Sequence, residues 1–169
     1  VTFLNKQGRV AVVCQQGETL LQAGLRQGVP LPYGCGAGVC STCVARARPG
    51  TVESAWAEAP GAQILKRDKG ECLLCQSLVT DDCEILVPGK IDLEQTLADT
   101  PAHCRARLHD VAVVAPDVAT FQLSLQGQAD YIAGQYFLVR LEGMQGYRPY
   151  SMTDFQREAQ TLNFVIKRI

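Results

Sequence analysis

Three cysteines fall within one short stretch of a 169-residue chain, Tyr33-Gly34-Cys35-Gly36-Ala37-Gly38-Val39-Cys40-Ser41-Thr42-Cys43. This spacing constrains the fold more than any other feature. Thiols held so close in one loop can converge on a shared centre, whereas disulfides among them would be strained. Five further cysteines stand at positions 14, 72, 75, 83 and 104. No basic segment followed by an apolar stretch opens the chain, so nothing there reads as a secretory signal. Eight thiols without such a signal point to reduced, functional cysteines rather than a disulfide framework, and to a cytoplasmic protein. Val1 in place of Met reads as a processed or trimmed start. With 47% hydrophobic and 20% charged residues the composition is that of a soluble globular protein. No apolar run approaches the ~18 residues of a membrane span, and a formal net charge of -1 gives no basic footprint for nucleic acid. Charges balance within residues 1–88 and again within 103–169, so neither half carries a steering field.

The cysteines of the loop follow the pattern C-x4-C-x2-C, the plant-type [2Fe–2S] spacing when a fourth cysteine lies downstream. The chemistry asks for this arrangement. One loop must place three thiolates on the cluster while its backbone N–H groups point at the sulfurs, and bulky side chains would block that approach. Gly34, Gly36, Ala37, Gly38, Ser41 and Thr42 are all small, and glycine tolerates the positive φ that such a nest requires. Zinc is the weaker reading, because zinc sites usually repeat C-x2–4-C pairs, whereas the loop joins one two-residue pair, Cys40 and Cys43, to a four-residue gap from Cys35. A Rieske centre needs histidines beside the cysteines, and His103 and His109 are remote in sequence. Spacing alone leaves the fourth ligand open between Cys72 and Cys75. Cys14, Cys83 and Cys104 read as small buried hydrophobes.

Around this loop the pattern is mixed. Residues 1–5 and 9–14, split by Lys6-Gln7-Gly8, predict a β-hairpin. Residues 19–28 predict a helix with Thr19 as N-cap, Gln22 completing a capping box and Gly28 closing the C-terminal end. Residues 43–47 suggest a strand ending at Pro49-Gly50, residues 64–67 a short helix, and residues 83–87 a closing strand. Residues 88–101 hold Asp92, Glu94 and Asp99 against Lys90, with proline at both ends, and read as an acidic linker or crossing segment. Beyond it, residues 106–114, 119–125, 136–141 and 162–169 predict strands of a barrel or sandwich. The expected organisation is residues 1–88, a linker over 89–102, and a second domain over 103–169.

The stretch from Pro32 through Cys43 resembles plant-type ferredoxins and the ferredoxin domains of bacterial oxygenase reductases. The resemblance covers residues 1–88 and implies a β-grasp fold. In that family the last ligand sits in a Leu-x-Cys-Gln-like motif, matched by Leu73-Leu74-Cys75-Gln76, which implies Cys75 as the fourth ligand beside Cys35, Cys40 and Cys43, with Cys72 a bystander. Ser41 stands where many reductase-type domains have Gly and plant ferredoxins often have Ser.

In the second half, Gly134-Gln135-Tyr136-Phe137 and Arg148-Pro149-Tyr150-Ser151 set out a cation, a flat ring and a hydroxyl in order. Taken singly they read as an ordinary strand edge. Together they resemble the flavin-binding barrel of the ferredoxin–NADP reductase superfamily. That resemblance implies Arg148 on a flavin phosphate, with Pro149 beside it, Tyr150 against the isoalloxazine, Ser151 near its reactive nitrogen, and Val165 and Lys167 lining the flavin from the next strand. The implied architecture is α+β: a β-grasp [2Fe–2S] ferredoxin domain followed by an incomplete antiparallel β-barrel flavin domain. The superfamily continues with a phosphate loop and a nicotinamide-binding domain, whose motifs do not occur before Ile169. The chain therefore reads as part of a longer reductase whose NAD site lies elsewhere.

The resemblance then implies the NADH-dependent reductase component of a bacterial multicomponent oxygenase, of the ferredoxin–FAD–NAD type. Trp56-Ala57-Glu58-Ala59-Pro60-Gly61 is similar to aromatic-monooxygenase reductases in particular. In such proteins NADH gives two electrons to the flavin, and these pass singly to the cluster. The acceptor would be an oxygenase with a di-iron or Rieske centre. No side chain is expected to act as a general acid or base. The alternative is a stand-alone [2Fe–2S] electron carrier without NADH oxidation of its own.

Overall fold

The computed structural model describes residues 1–47 and 52–168. These form two compact units, one built from Val1–Ala102 with Arg140–Tyr147, the other from His103–Val139 and the chain from Arg148 on.

The first unit begins with the expected hairpin. β1 (Thr2–Leu4) and β2 (Arg9–Ala11) pair antiparallel with Phe3 opposite Val10, and the Asn5 side chain accepts from the N–H groups of Gln7 and Gly8 to close the turn. α1 (Leu20–Arg26) follows. Its N-cap is the predicted capping box, with Thr19 Oγ1 accepting from Gln22 N–H and Gln22 Oε1 accepting from Thr19 N–H. At the other end Gly28 takes φ +78°, while Val29 N–H reaches Gly24 C=O and Gly28 N–H reaches Leu25 C=O. This is a Schellman closure, and it needs a residue that tolerates the left-handed region.

β3 (Val44–Ala47), β4 (Val52–Ser54), β5 (Glu71–Leu73), β6 (Ser77–Val79) and β7 (Glu84–Leu86) complete the unit. The main sheet runs β2-β1-β7-β3-β5, with β1 and β7 parallel and its other pairs antiparallel; β4 pairs separately with β6. The helix lays Leu20, Leu21, Ala23 and Leu25 into a core with Phe3, Leu74 and Ile85, each of the last three fully buried. Instead of one short helix near residues 64–67, there are two 3₁₀ turns, Pro60–Ile64 and Arg67–Lys69. Gly70, at φ +74°, ends the second. The predicted strand end at Pro49-Gly50 lies outside the described residues.

The acidic segment read as a linker or crossing segment packs onto this unit over its first half. Leu93 is 1% exposed within the core, and Ile91 and Leu97 pack against it. Asn5 Nδ2 donates to Ile91 C=O at 2.6 Å, and Leu97 N–H to Gly28 C=O at 2.7 Å.

The second unit is all strand. β8 (Ala106–Ala115), β9 (Val118–Ala129) and β12 (Ala159–Lys167) form an antiparallel sheet in the order β12-β9-β8, while β10 (Tyr136–Val139) and β11 (Arg148–Ser151) pair with each other. Among the described residues these sheets do not close into a barrel, in keeping with an incomplete one. Asp110, at φ +48°, lies where the β8–β9 register slips between His109 and Ala112, as a bulge requires. The core is small and aromatic. Phe121 stacks on Phe164 at 4.8 Å between centroids, and Tyr150 meets both rings edge-on. No helix among the described residues is long and apolar enough to cross a membrane.

Candidate cofactor sites

The cysteine loop enters from Leu31, buried in the core, and leaves into β3 of the sheet. Between them the backbone folds round Cys35 Sγ, which accepts from the N–H groups of Ala37, Val39 and Cys40 at 3.3–3.4 Å. Gly36 and Gly38 take positive φ to allow it, and so does Ser41, at +59°. Cys40 Sγ accepts from Cys35 N–H at 3.3 Å and lies 3.1 Å from Thr42 Oγ1. Burial pushes the Cys40 thiol up, but the Thr42 side chain and backbone and the Cys35 hydrogen bonds outweigh it and bring it down to about 6.

Cys43 and Cys75 form a second, buried pair with their sulfurs 3.3 Å apart. The hydrogen bond they share draws Cys43 down to about 7 against the effect of burial, and it pushes Cys75 up, with burial adding to the rise. Cys75 comes from the 3₁₀ turn Leu74–Gln76, which follows β5 directly and is tied to the loop by Leu74 N–H on Cys43 C=O. Cys72 lies on β5 opposite Ala45, and burial pushes its thiol up. The fold thus brings Cys75 to Cys43, whereas Cys72 sits within the sheet.

Iron binds thiolate, so a site for it must hold deprotonated sulfur and soften its charge. Two thiols lowered toward neutrality, two thiol pairs and a ring of inward N–H groups are a donor set of that chemistry.

Sequence reasoning missed the support beneath this loop. Gly61 N–H donates to Gly38 C=O at 2.8 Å, and Ser41 Oγ donates back to Gly61 C=O at 3.0 Å. A side chain on Gly61 would place a Cβ 2.9 Å from both Gly38 O and Ser41 Oγ. Gln76, 3% exposed, turns its Nε2 to Cys75 Sγ at 3.7 Å. The small residues of Ala59-Pro60-Gly61 were the available signal for the first of these contacts.

On β11, Arg148 and Tyr150 point to one face, where each is half-buried, and Pro149 and Ser151 are exposed on the other. β10 fixes this register, with Phe137 opposite Tyr150 and Tyr136 opposite Ser151. Phe121 and Phe164 pin the Tyr150 ring. Val165 follows Phe164, so it and Lys167 point to the opposite face of β12; both are exposed, and Lys167 Nζ lies 3.2 Å from Asp117. The cation, ring and hydroxyl are therefore assembled on one strand, while Val165 and Lys167 are not gathered with Tyr150.

Residues 3–80 match the 2Fe-2S iron-sulfur cluster binding domain family, and residues 105–169 match the oxidoreductase FAD-binding domain family. The chain is a 2Fe–2S ferredoxin domain followed by an oxidoreductase FAD-binding domain. Across both domains it is 33% identical to the ferredoxin–NAD(+) reductase component of an alkene monooxygenase system from Xanthobacter autotrophicus, over 92% of this chain and 46% of that protein. It is 30% identical to a ferredoxin–NAD(P)(+) reductase from Metapseudomonas resinovorans, over 98% of this chain and 50% of that one. Among solved structures, the ferredoxin reductase in carbazole 1,9a-dioxygenase superposes with a TM-score of 0.80 at 28% identity, covering 99% of this chain and 49% of that chain. The chain spans about half the length of the curated relatives it matches. The ferredoxin domain supplies a [2Fe–2S] centre and the second domain supplies FAD.

Proposed function

We propose that this chain is the cluster- and flavin-bearing part of a reductase that carries electrons from NAD(P)H, through FAD and the [2Fe–2S] centre, to the oxygenase component of a mono- or dioxygenase system. The observation that carries the reading is the loop itself. Two thiol pairs set in a ring of backbone donors lie in a domain that precedes a FAD-binding domain, and relatives named as oxygenase reductases share this order. The flavin accepts electrons in pairs and the cluster holds one at a time, which lets a hydride donor serve a one-electron acceptor.

In this reading Cys35 and Cys40 hold one side of the cluster, and Cys43 and Cys75 the other. Arg148 neutralises a flavin phosphate and Tyr150 presents its ring to the isoalloxazine, while Ser151, on the other face at the end of β11, offers a hydroxyl at the flavin's edge. Pro149, which has no backbone N–H, leaves one donor fewer along the edge of β11. Val165 and Lys167 contribute from β12 chiefly through backbone. We divide the chain into 1–88, 89–102 and 103–169; the family matches lie over residues 3–80 and 105–169, and Leu93 of the middle segment packs into the core of the first domain. Relatives from monooxygenase and dioxygenase systems support an oxygenase partner with a di-iron or Rieske centre. The NAD-binding part of the proposed protein lies outside these residues, and the protein works in the cytoplasm, as its reduced thiols suggest.

The test is to purify the chain and measure iron, acid-labile sulfide and flavin. We expect two irons, two sulfides and one FAD per chain, and an electron paramagnetic resonance signal on dithionite reduction. A colourless zinc protein would overturn the reading. NADH-driven dye reduction by this chain alone would overturn the placement of the NAD site.

A further inference from the structure

We propose that Gln76 is a positioning residue that raises the reduction potential of the centre by donating its side-chain N–H to Cys75 Sγ. The inference rests on the cluster reading above and deepens it.

A glutamine amide is costly to bury unless it is hydrogen-bonded, and Gln76 is 3% exposed. Its main chain is anchored where Ala55 N–H donates to Gln76 C=O at 2.7 Å. Its Nε2 lies 3.7 Å from Cys75 Sγ. The side chain also abuts Gly38, since a Cβ there would come within 3.0 Å of Gln76 Cγ and 3.1 Å of Nε2. One side chain therefore both donates to Cys75 Sγ and fills the space against Gly38 of the cysteine loop.

The opposite side of the loop needs no such help. Cys35 takes three donors from consecutive local backbone. Cys75 arrives alone from a distant turn, and the side chain that follows it supplies what the loop supplies elsewhere. Adding one electron to the centre increases negative charge on its sulfurs, with no proton taken up, and an N–H aimed at a sulfur stabilises that more negative state. Removing the donor should therefore lower the potential.

The test is a dithionite redox titration of the purified chain, followed by visible absorbance and electron paramagnetic resonance. Gln76→Leu keeps the volume and removes the donor. We expect it to retain iron and sulfide while the reduced-to-oxidised ratio at a fixed poise falls three- to tenfold; tenfold corresponds to 59 mV for one electron. Gln76→Glu keeps the shape but ionises, so its potential should fall as pH rises while that of Gln76→Leu stays flat over the same range. A purely structural role would alter cluster content and melting temperature and leave both signatures unmoved. A Gln76→Leu ratio within 1.5-fold of wild type would overturn the inference. So would loss of the cluster in Gln76→Leu, Gln76→Met and Gln76→Glu alike, which would make the side chain a seat rather than a tuner. A wild-type chain without iron would instead overturn the cluster reading itself.

Discussion

The two cofactor regions are built on opposite plans. In the ferredoxin domain the strands are short, three to four residues each, and the site is a loop whose own backbone supplies most of its contacts. In the FAD-binding domain the strands of the main sheet run to nine to twelve residues, but the site lies on the separate pair of four-residue strands β10 and β11, where it depends on which residue faces which. A loop site tolerates changes in the sheet around it but not in its own backbone. A strand site behaves the other way, because a one-residue slip turns every side chain to the wrong face.

The sharpest way to break this contrast is at Cys75, the one proposed cluster ligand that does not come from the loop. Cys75→Ser should abolish the cluster, whereas Cys72→Ser should leave iron and sulfide content at the wild-type level. A cluster that survives Cys75→Ser and vanishes in Cys72→Ser would reverse the assignment and make β5, a strand, the source of the fourth ligand.

The next largest effects fall in the two cores. Phe164→Ala removes the ring that stacks on Phe121 and touches Tyr150, and should cost about 3–5 kcal/mol. Because the core of the FAD-binding domain is small, hydrogen exchange across β9 and β12 should accelerate together, with flavin binding weakened. Leu93→Ala should cost about 2–5 kcal/mol, read as a lower melting midpoint of the cluster absorbance. That loss would show that part of the acidic connection is a structural piece of the ferredoxin domain; an unchanged midpoint would restore it to a free tether.

The same contrast explains what could be read without coordinates. The loop was legible because its geometry is local: C-x4-C-x2-C among small residues lets the backbone fold round Cys35 and Cys40. The Thr19–Gln22 box and the Gly28 closure were legible for the same reason, each depending on neighbours within a few residues. β4, β5 and β6 were not foreseen, since each exists by pairing with a strand distant in sequence. Leu93 was hidden by its setting, because a lone leucine among Asp92 and Glu94 gives an acidic signal although its side chain is buried. The Gly61–Gly38 contact joins two loops far apart in sequence, and no local pattern announces it.

The smallest expected effect is also the most discriminating. Gly61→Ala adds a single methyl group, placed 2.9 Å from Gly38 O and Ser41 Oγ. Gly38 O belongs to the backbone of the cluster loop and cannot swing aside as a side-chain tip could. The methyl should therefore push the loop outward, lengthening the Gly61–Gly38 hydrogen bond at a cost of about 1–3 kcal/mol, as overpacking usually does. The loop carries the donors to Cys35, so cluster retention should suffer more than the fold. We expect near-wild-type circular dichroism together with faster loss of the visible bands on exposure to a chelator. A matched substitution outside the loop, Thr19→Ala, removes a helix cap worth about 1 kcal/mol and should lower the melting midpoint while leaving the rate of chelator attack unchanged. If both variants lost iron at the same rate, the loop would be no more sensitive than the sheet and helix that carry it, and the division between a loop site and a strand site would fail.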